Sequence, residues 1–149
     1  MTGFGPHLVY DGYGCPPERL TDLPALYHLL DALPERIHLT RIMPPCVFRH
    51  VAADEREGLS GFVPVAGSHF SVHTFPARRC LSLDIFSAGP FDVEDALAAI
   101  ARTFAPRRVD WRLLDRGLGV PHALEPARPR AGAERRTAIA RAMGLEVPR

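Results

Sequence analysis

Residues 59 to 87 read LSGFVPVAGSHFSVHTFPARRCLSLDIFS. Three strand-like runs lie in this stretch: Leu59 to Ala66, His69 to Phe75 and Cys80 to Ser87. In the second run, His69, Ser71 and His73 alternate with apolar residues, as on a strand with one solvated face. The connections are short and carry Gly67, Pro76 and Ala77. Strands this close in sequence pair most easily antiparallel.

The flanks extend the pattern. Upstream, His7 to Tyr10 predicts a strand ended by Gly12 and Gly14. Thr21 or Asp22 can cap a helix, with Pro24 tolerated in its first turn. Leu26, Leu29, Leu30 and Leu33 then repeat at helical spacing until Pro34 stops the pattern. Residues 37 to 48 look extended, interrupted by Pro44 and Pro45, and residues 52 to 58 form a charged loop. Downstream, Asp92 caps a second helix with Glu94 and Asp95 in its acidic first turn. Val93, Leu97, Ile100 and Phe104 are on its apolar side, Pro106 ends it, and Val109 to Leu114 is a last strand. This order predicts an α+β fold, a two-layer sandwich of an antiparallel sheet with helices packed on one face. The free sheet face or an edge would suit a homodimer contact.

Composition limits the function classes. A chain of 149 residues suits one domain. The formal net charge of +1 gives no general pull toward nucleic acid or an anionic membrane. No apolar run approaches the roughly 18 residues of a membrane helix. The first residues lack the basic and apolar segments of a secretory signal. Cys15, Cys46 and Cys80 are odd in number, widely spaced and contain no CxxC pair, so neither a metal site nor a disulfide framework is expected. They read as small buried apolar groups in a soluble, cytoplasmic protein. From Pro121 onward the composition shifts: residues 127 to 149 hold six arginines and two glutamates, a basic tail with a short helix possible over residues 133 to 143.

Three segments together resemble the small prokaryotic S-adenosylmethionine decarboxylases, a pyruvoyl-dependent family of polyamine biosynthesis. His7-Leu-Val-Tyr-Asp11-Gly-Tyr-Gly-Cys15 is similar to the family's HLLxDxYGC. Gly58-Leu-Ser60-Gly61, followed by Gly67-Ser68-His69-Phe-Ser71-Val-His73-Thr-Phe-Pro76, is similar to GVSG…ESHxSIHTWPE. Leu83-Asp84-Ile-Phe86-Ser87-Ala88-Gly89 is similar to VDVFTCG. The resemblance divides the chain into a decarboxylase-like domain, residues 1–120, and the basic tail, residues 121–149.

The resemblance implies a self-cleaving proenzyme. Ser68 would attack the Gly67 carbonyl and turn the amide into an ester. Elimination and hydrolysis would then leave a pyruvoyl group at the new end, giving chains 1–67 and 68–149. His73 corresponds to the family's processing histidine and Ser60 to an assisting serine. Such chemistry needs a nucleophile, a proton carrier and support for the developing oxyanion, and a histidine titrates near working pH. The substrate amine, S-adenosylmethionine in the family, would form a Schiff base with the pyruvoyl ketone, which draws electrons from the breaking C–C bond as pyridoxal phosphate does. Asp11 and Asp84 are candidates for holding this cationic substrate.

Two positions depart from the family pattern. Gly67 stands where the family has glutamate, and Ala88 stands where it has the cysteine that reprotonates the product. Cys80 lies eight residues before Ala88, roughly 26 Å along an extended strand. Ser87 would point away from the face of Ala88 on a regular strand; water, His69 and Cys46 are other donors to consider. Ser68 and His73, five apart, would also face opposite ways unless a bend or bulge intervenes or Ser68 sits in the turn. Met43-Pro-Pro-Cys-Val-Phe48 and Ser60-Gly-Phe62 are closer to a divergent branch of the family, so one alternative is the same fold decarboxylating ornithine or arginine; Gly67 and Ala88 favour the other, a non-catalytic binding or regulatory relative.

Overall fold

A computed structural model describes residues 4–51 and 57–119. Strand β1 (Gly5–Tyr13) is followed by the short helix α1 (Pro17–Leu20) and by α2 (Leu23–Arg36). Four strands come next: β2 (Cys46–His50), β3 (Gly58–Val65), β4 (Ser68–Phe75) and β5 (Cys80–Ser87). A 3-10 turn over Pro76–Arg78 joins the last two. Helix α3 (Val93–Phe104) and strand β6 (Arg108–Arg116) complete the described residues.

The six strands form one sheet in the order β2-β3-β4-β5-β1-β6, with every pairing antiparallel. Strand alternation gives the sheet two different faces. Leu81, Leu83, Ile85 and Ser87 of β5 are buried, and so are Phe70, Val72 and Thr74 of β4. These meet Leu26, Leu29, Leu30 and Leu33 of α2 and Leu97, Ile100 and Phe104 of α3 in a single core. At Gly61 of β3 a Cβ would lie 2.6 Å from Leu30 Cδ1, so the missing side chain is what lets α2 approach the sheet. No helix layer covers the other face among the described residues. The fold is the two-layer α+β sandwich that the pattern predicts.

Helix α3 begins where Asp92 predicts it. The Asp92 carboxylate accepts a hydrogen bond from the Asp95 backbone N–H at 3.0 Å, which satisfies one orphan donor of the first turn. Asp92→Ala should therefore lower stability by about 1 kcal/mol, read as a lower urea midpoint with an unchanged slope. The helix ends at Ala105, which takes a left-handed conformation and donates to Ala101 O at 2.9 Å, one residue before Pro106.

Several local expectations are corrected. Helix α2 runs past Pro34 to Arg36. Proline loses its own N–H bond and crowds the carbonyl four residues before it, but Pro34 falls in the last turn, where Ile37 N–H still reaches Leu33 O at 3.2 Å. Strand β1 continues through Gly12 to Tyr13, because its pairing with β5 and β6 holds the backbone extended on both sides. Residues 37 to 45 contribute only a lone bridge, Arg41 to Val65, rather than an extended run. Helix α1, too short for a periodic pattern, has no counterpart in the reading of the sequence. Cys15 is buried as expected, and burial, aided by Cys80, pushes its thiol up to about 11. Cys46 instead is exposed on the edge strand β2. Most of the charged loop and the whole basic tail lie outside the described residues.

Candidate active site

The hairpin joining β3 to β4 has a two-residue tip, Ala66–Gly67. Gly67 has φ +65°, a left-handed conformation at the second turn position where glycine is favoured. A side chain there, glutamate included, would be strained by the backbone. A Cβ on Gly67 would also meet the Ala88 Cβ at 3.3 Å. The two departures are therefore neighbours in space.

Ser68 opens β4 directly after this tip. It pairs with Ser87 across β4 and β5. Its Oγ lies 3.2 Å from Ala66 O and 3.2 Å from Ser87 Oγ. Ser87 is fully buried, and its Oγ accepts a hydrogen bond from Gly89 N–H at 3.1 Å. Gly67, Ser68, Ser87 and Ala88 thus gather at one end of the sheet, with the serine side chains on its helix-covered side.

A second group lies on the open face. The pairings put Phe48, Ser60, His73, Ser82, Asp11 and Asp110 in one row across all six strands. Ser60 Oγ and His73 Nδ1 share a hydrogen bond of 2.8 Å, with Ser60 buried and His73 exposed. Farther along the row, Ser82 Oγ donates to Asp11 Oδ1 at 2.6 Å. Asp84 is on the same face, 3.3 Å from His7 Nε2, while Arg116 approaches His7 Nδ1 at 3.1 Å. His69 stacks on Phe62 and tilts against Phe86, with ring centroids 6.0 and 5.7 Å away.

Within the chain the structure brings Ser60 to His73 and Ser68 to Ser87, but it does not bring Ser68 to His73. Strand β4 is unbroken from Ser68 to Phe75, so residues five apart face opposite ways. Asp11 and Asp84 are on the face away from Ser68, and each already has a polar partner. Cys80 begins β5 and Ser87 ends it, which keeps Cys80 a full strand length from Ala88. Ser87 is the residue whose contact with Ser68 single-strand reasoning misses. The short connection after Phe75 is the signal that finds it, because pairing outward from that turn sets Ser87 opposite Ser68.

A family model described as S-adenosylmethionine decarboxylase matches residues 6–117. The S-adenosylmethionine decarboxylase proenzyme of Hydrogenobaculum sp. is 30% identical over 115 residues, covering 76% of this chain and 82% of that protein. The proenzyme of the same name from Thermoplasma acidophilum is 32% identical over 117 residues, covering 77% and 85%. A crystal structure of the adenosylmethionine decarboxylase from Aquifex aeolicus superposes with a TM-score of 0.68 at 24% identity, over 86% of this chain and all of the other. That likeness shows the shared fold.

Proposed function

This chain belongs to the S-adenosylmethionine decarboxylase family, and on that premise we propose that it is a proenzyme that cuts itself between Gly67 and Ser68 and then decarboxylates S-adenosylmethionine. The position of Ser68 carries the reading. It directly follows a tight turn whose glycine leaves the preceding carbonyl sterically open, and it stands at the matching place in the family motif. The side chains around it suit a small new chain end: Gly67, Ala88 and Gly89 bring little bulk, and a Cβ on Gly89 would meet nothing within 4 Å. A pyruvoyl group made from Ser68 supplies an electron sink for the amine substrate.

Ser60 and His73 are the proposed processing pair. Their hydrogen bond orients the imidazole, leaving its other nitrogen to move protons. They face away from Ser68 within the chain, and the reading also includes a homodimer through the open sheet face, where Phe48, Phe62 and Leu114 are 52%, 43% and 43% exposed. Asp11 and Asp84 are the proposed holders of the cationic substrate, and within the chain they lie on the face away from Ser68. The odd, widely spaced cysteines fit a reducing cytoplasm.

Intact mass of the purified protein tests the cleavage. Two species corresponding to 1–67 and 68–149, the second without a free amino end, are expected; one uncut species after long incubation overturns it. Carbon dioxide release from S-adenosylmethionine, ornithine and arginine then assigns the substrate.

Ala88 favours a second reading, a non-catalytic relative that keeps the fold, because alanine cannot reprotonate a product. Ala88→Cys separates the two. The new thiol would start from a Cβ beside Gly67, at the cleavage end of the sheet. Under the enzyme reading, decarboxylation should rise by about 10²-fold, as a positioned proton donor typically provides. No gain in a cleaved protein would mean another group already donates, and no turnover in either form would favour the non-catalytic relative.

A further inference from the structure

We propose that Ser87 is a positioning residue for self-cleavage, holding the Ser68 hydroxyl in place for its attack on the Gly67 carbonyl; this rests on the cleavage reading above and deepens it. Ser87 is 0% exposed, and a buried hydroxyl must find partners inside the protein. It has two, one on each side. Gly89 N–H donates to its oxygen at 3.1 Å, and the Ser68 hydroxyl reaches it at 3.2 Å.

The Ser68 hydroxyl carries one hydrogen and has two acceptors at equal distance, Ala66 O and Ser87 Oγ. Ala66 belongs to the same turn, and a bond to it is the local contact that serines in turns commonly make. Ser87 comes from another strand, and its place opposite Ser68 is set by eight consecutive paired rungs of β4 and β5. Among these two acceptors, only Ser87 ties the nucleophile to the body of the sheet. His73 cannot do so in the same protomer because it lies on the opposite face.

The step itself needs nothing from Ser87 but orientation. The bond from Ser68 Oγ to the Gly67 carbonyl carbon forms, the Gly67–Ser68 C–N bond breaks, and the hydroxyl proton ends on the Ser68 nitrogen. Ser87 is neither consumed nor charged.

The test follows cleavage by intact mass over time in the parent, Ser87→Ala, Ser87→Thr and Ser87→Val chains, with circular dichroism as a check of folding. Threonine and valine have nearly the same shape, so that pair isolates the hydroxyl from packing. Cleavage should slow about tenfold in the alanine and valine variants, the rate cost of one lost hydrogen bond, and stay near the parent rate with threonine. Equal rates for threonine and valine, whether both are fast or both fail to fold, overturn the role of Ser87. So does an alanine variant that folds and cuts at the parent rate. A parent chain that never cuts defeats the self-cleavage reading as well, which distinguishes the two failures.

Discussion

Ser68→Ala should leave the chain as one uncut species with no measurable decarboxylase activity. The substitution removes the oxygen that would form the ester with the Gly67 carbonyl, and no neighbour can replace it at the same backbone position. Ser87 is the adjacent hydroxyl, but its attack would not sever the bond before residue 68 by the same acyl shift. Packing should barely change, since Ser68 is only half-buried and the variant loses a single hydroxyl. A thermal melt close to that of the parent, together with a single intact mass, would therefore place the loss in chemistry rather than folding. Cleavage persisting in this variant would refute Ser68 as the nucleophile.

Phe70→Ala should be the most damaging substitution for stability among those considered. Phe70 is 1% exposed and one of the largest fully buried side chains. It lies in β4 between Val63 of β3 and Ile85 of β5, in the middle of the sheet. Removing a buried phenyl ring costs about 3–5 kcal/mol, including the cavity left behind. Native domains hold only about 5–15 kcal/mol in total, so a large share of the folded population is at stake. The experiment is best done in the Ser68→Ala background, where a single chain unfolds. A urea midpoint that falls sharply with little change in slope is expected; a shift under about 1 kcal/mol would mean that the core does not close around this ring.

The sheet was legible because its hairpins are tight. The three central strands match their expected bounds within a residue or two, and Asp92 marks the start of α3. Glycine and proline were less reliable guides. Gly12 continues β1 and Pro34 lies within α2, because pairing on both edges and a nearly completed helix outweigh a local preference. In the candidate site, the closeness of Ser60 and His73 follows from the two-residue tip at Ala66–Gly67, which pairs them across β3 and β4. The opposite facing of Ser68 and His73 is equally a matter of counting along a regular strand. What one strand could not reveal was the depth of Ser87 or its bond to Gly89, since that bond depends on how the connection after β5 turns back on the strand end.

The strand order carries a last consequence, for the molecularity of folding. Strands β1, β2 and β3 come from residues before position 68, and β4, β5 and β6 from position 68 onward. Across the sheet these two sets interleave, with β1 clasped between β5 and β6 while β3 grips β4. A chain cut at Gly67–Ser68 would remain locked together along three seams. Once unfolded, however, its halves would have to find each other by collision. Recovery would then depend on protein concentration, whereas the uncut chain refolds as a unimolecular event. On the self-cleavage reading, the uncut chain would be the form that folds, and the cut form would need to assemble only once.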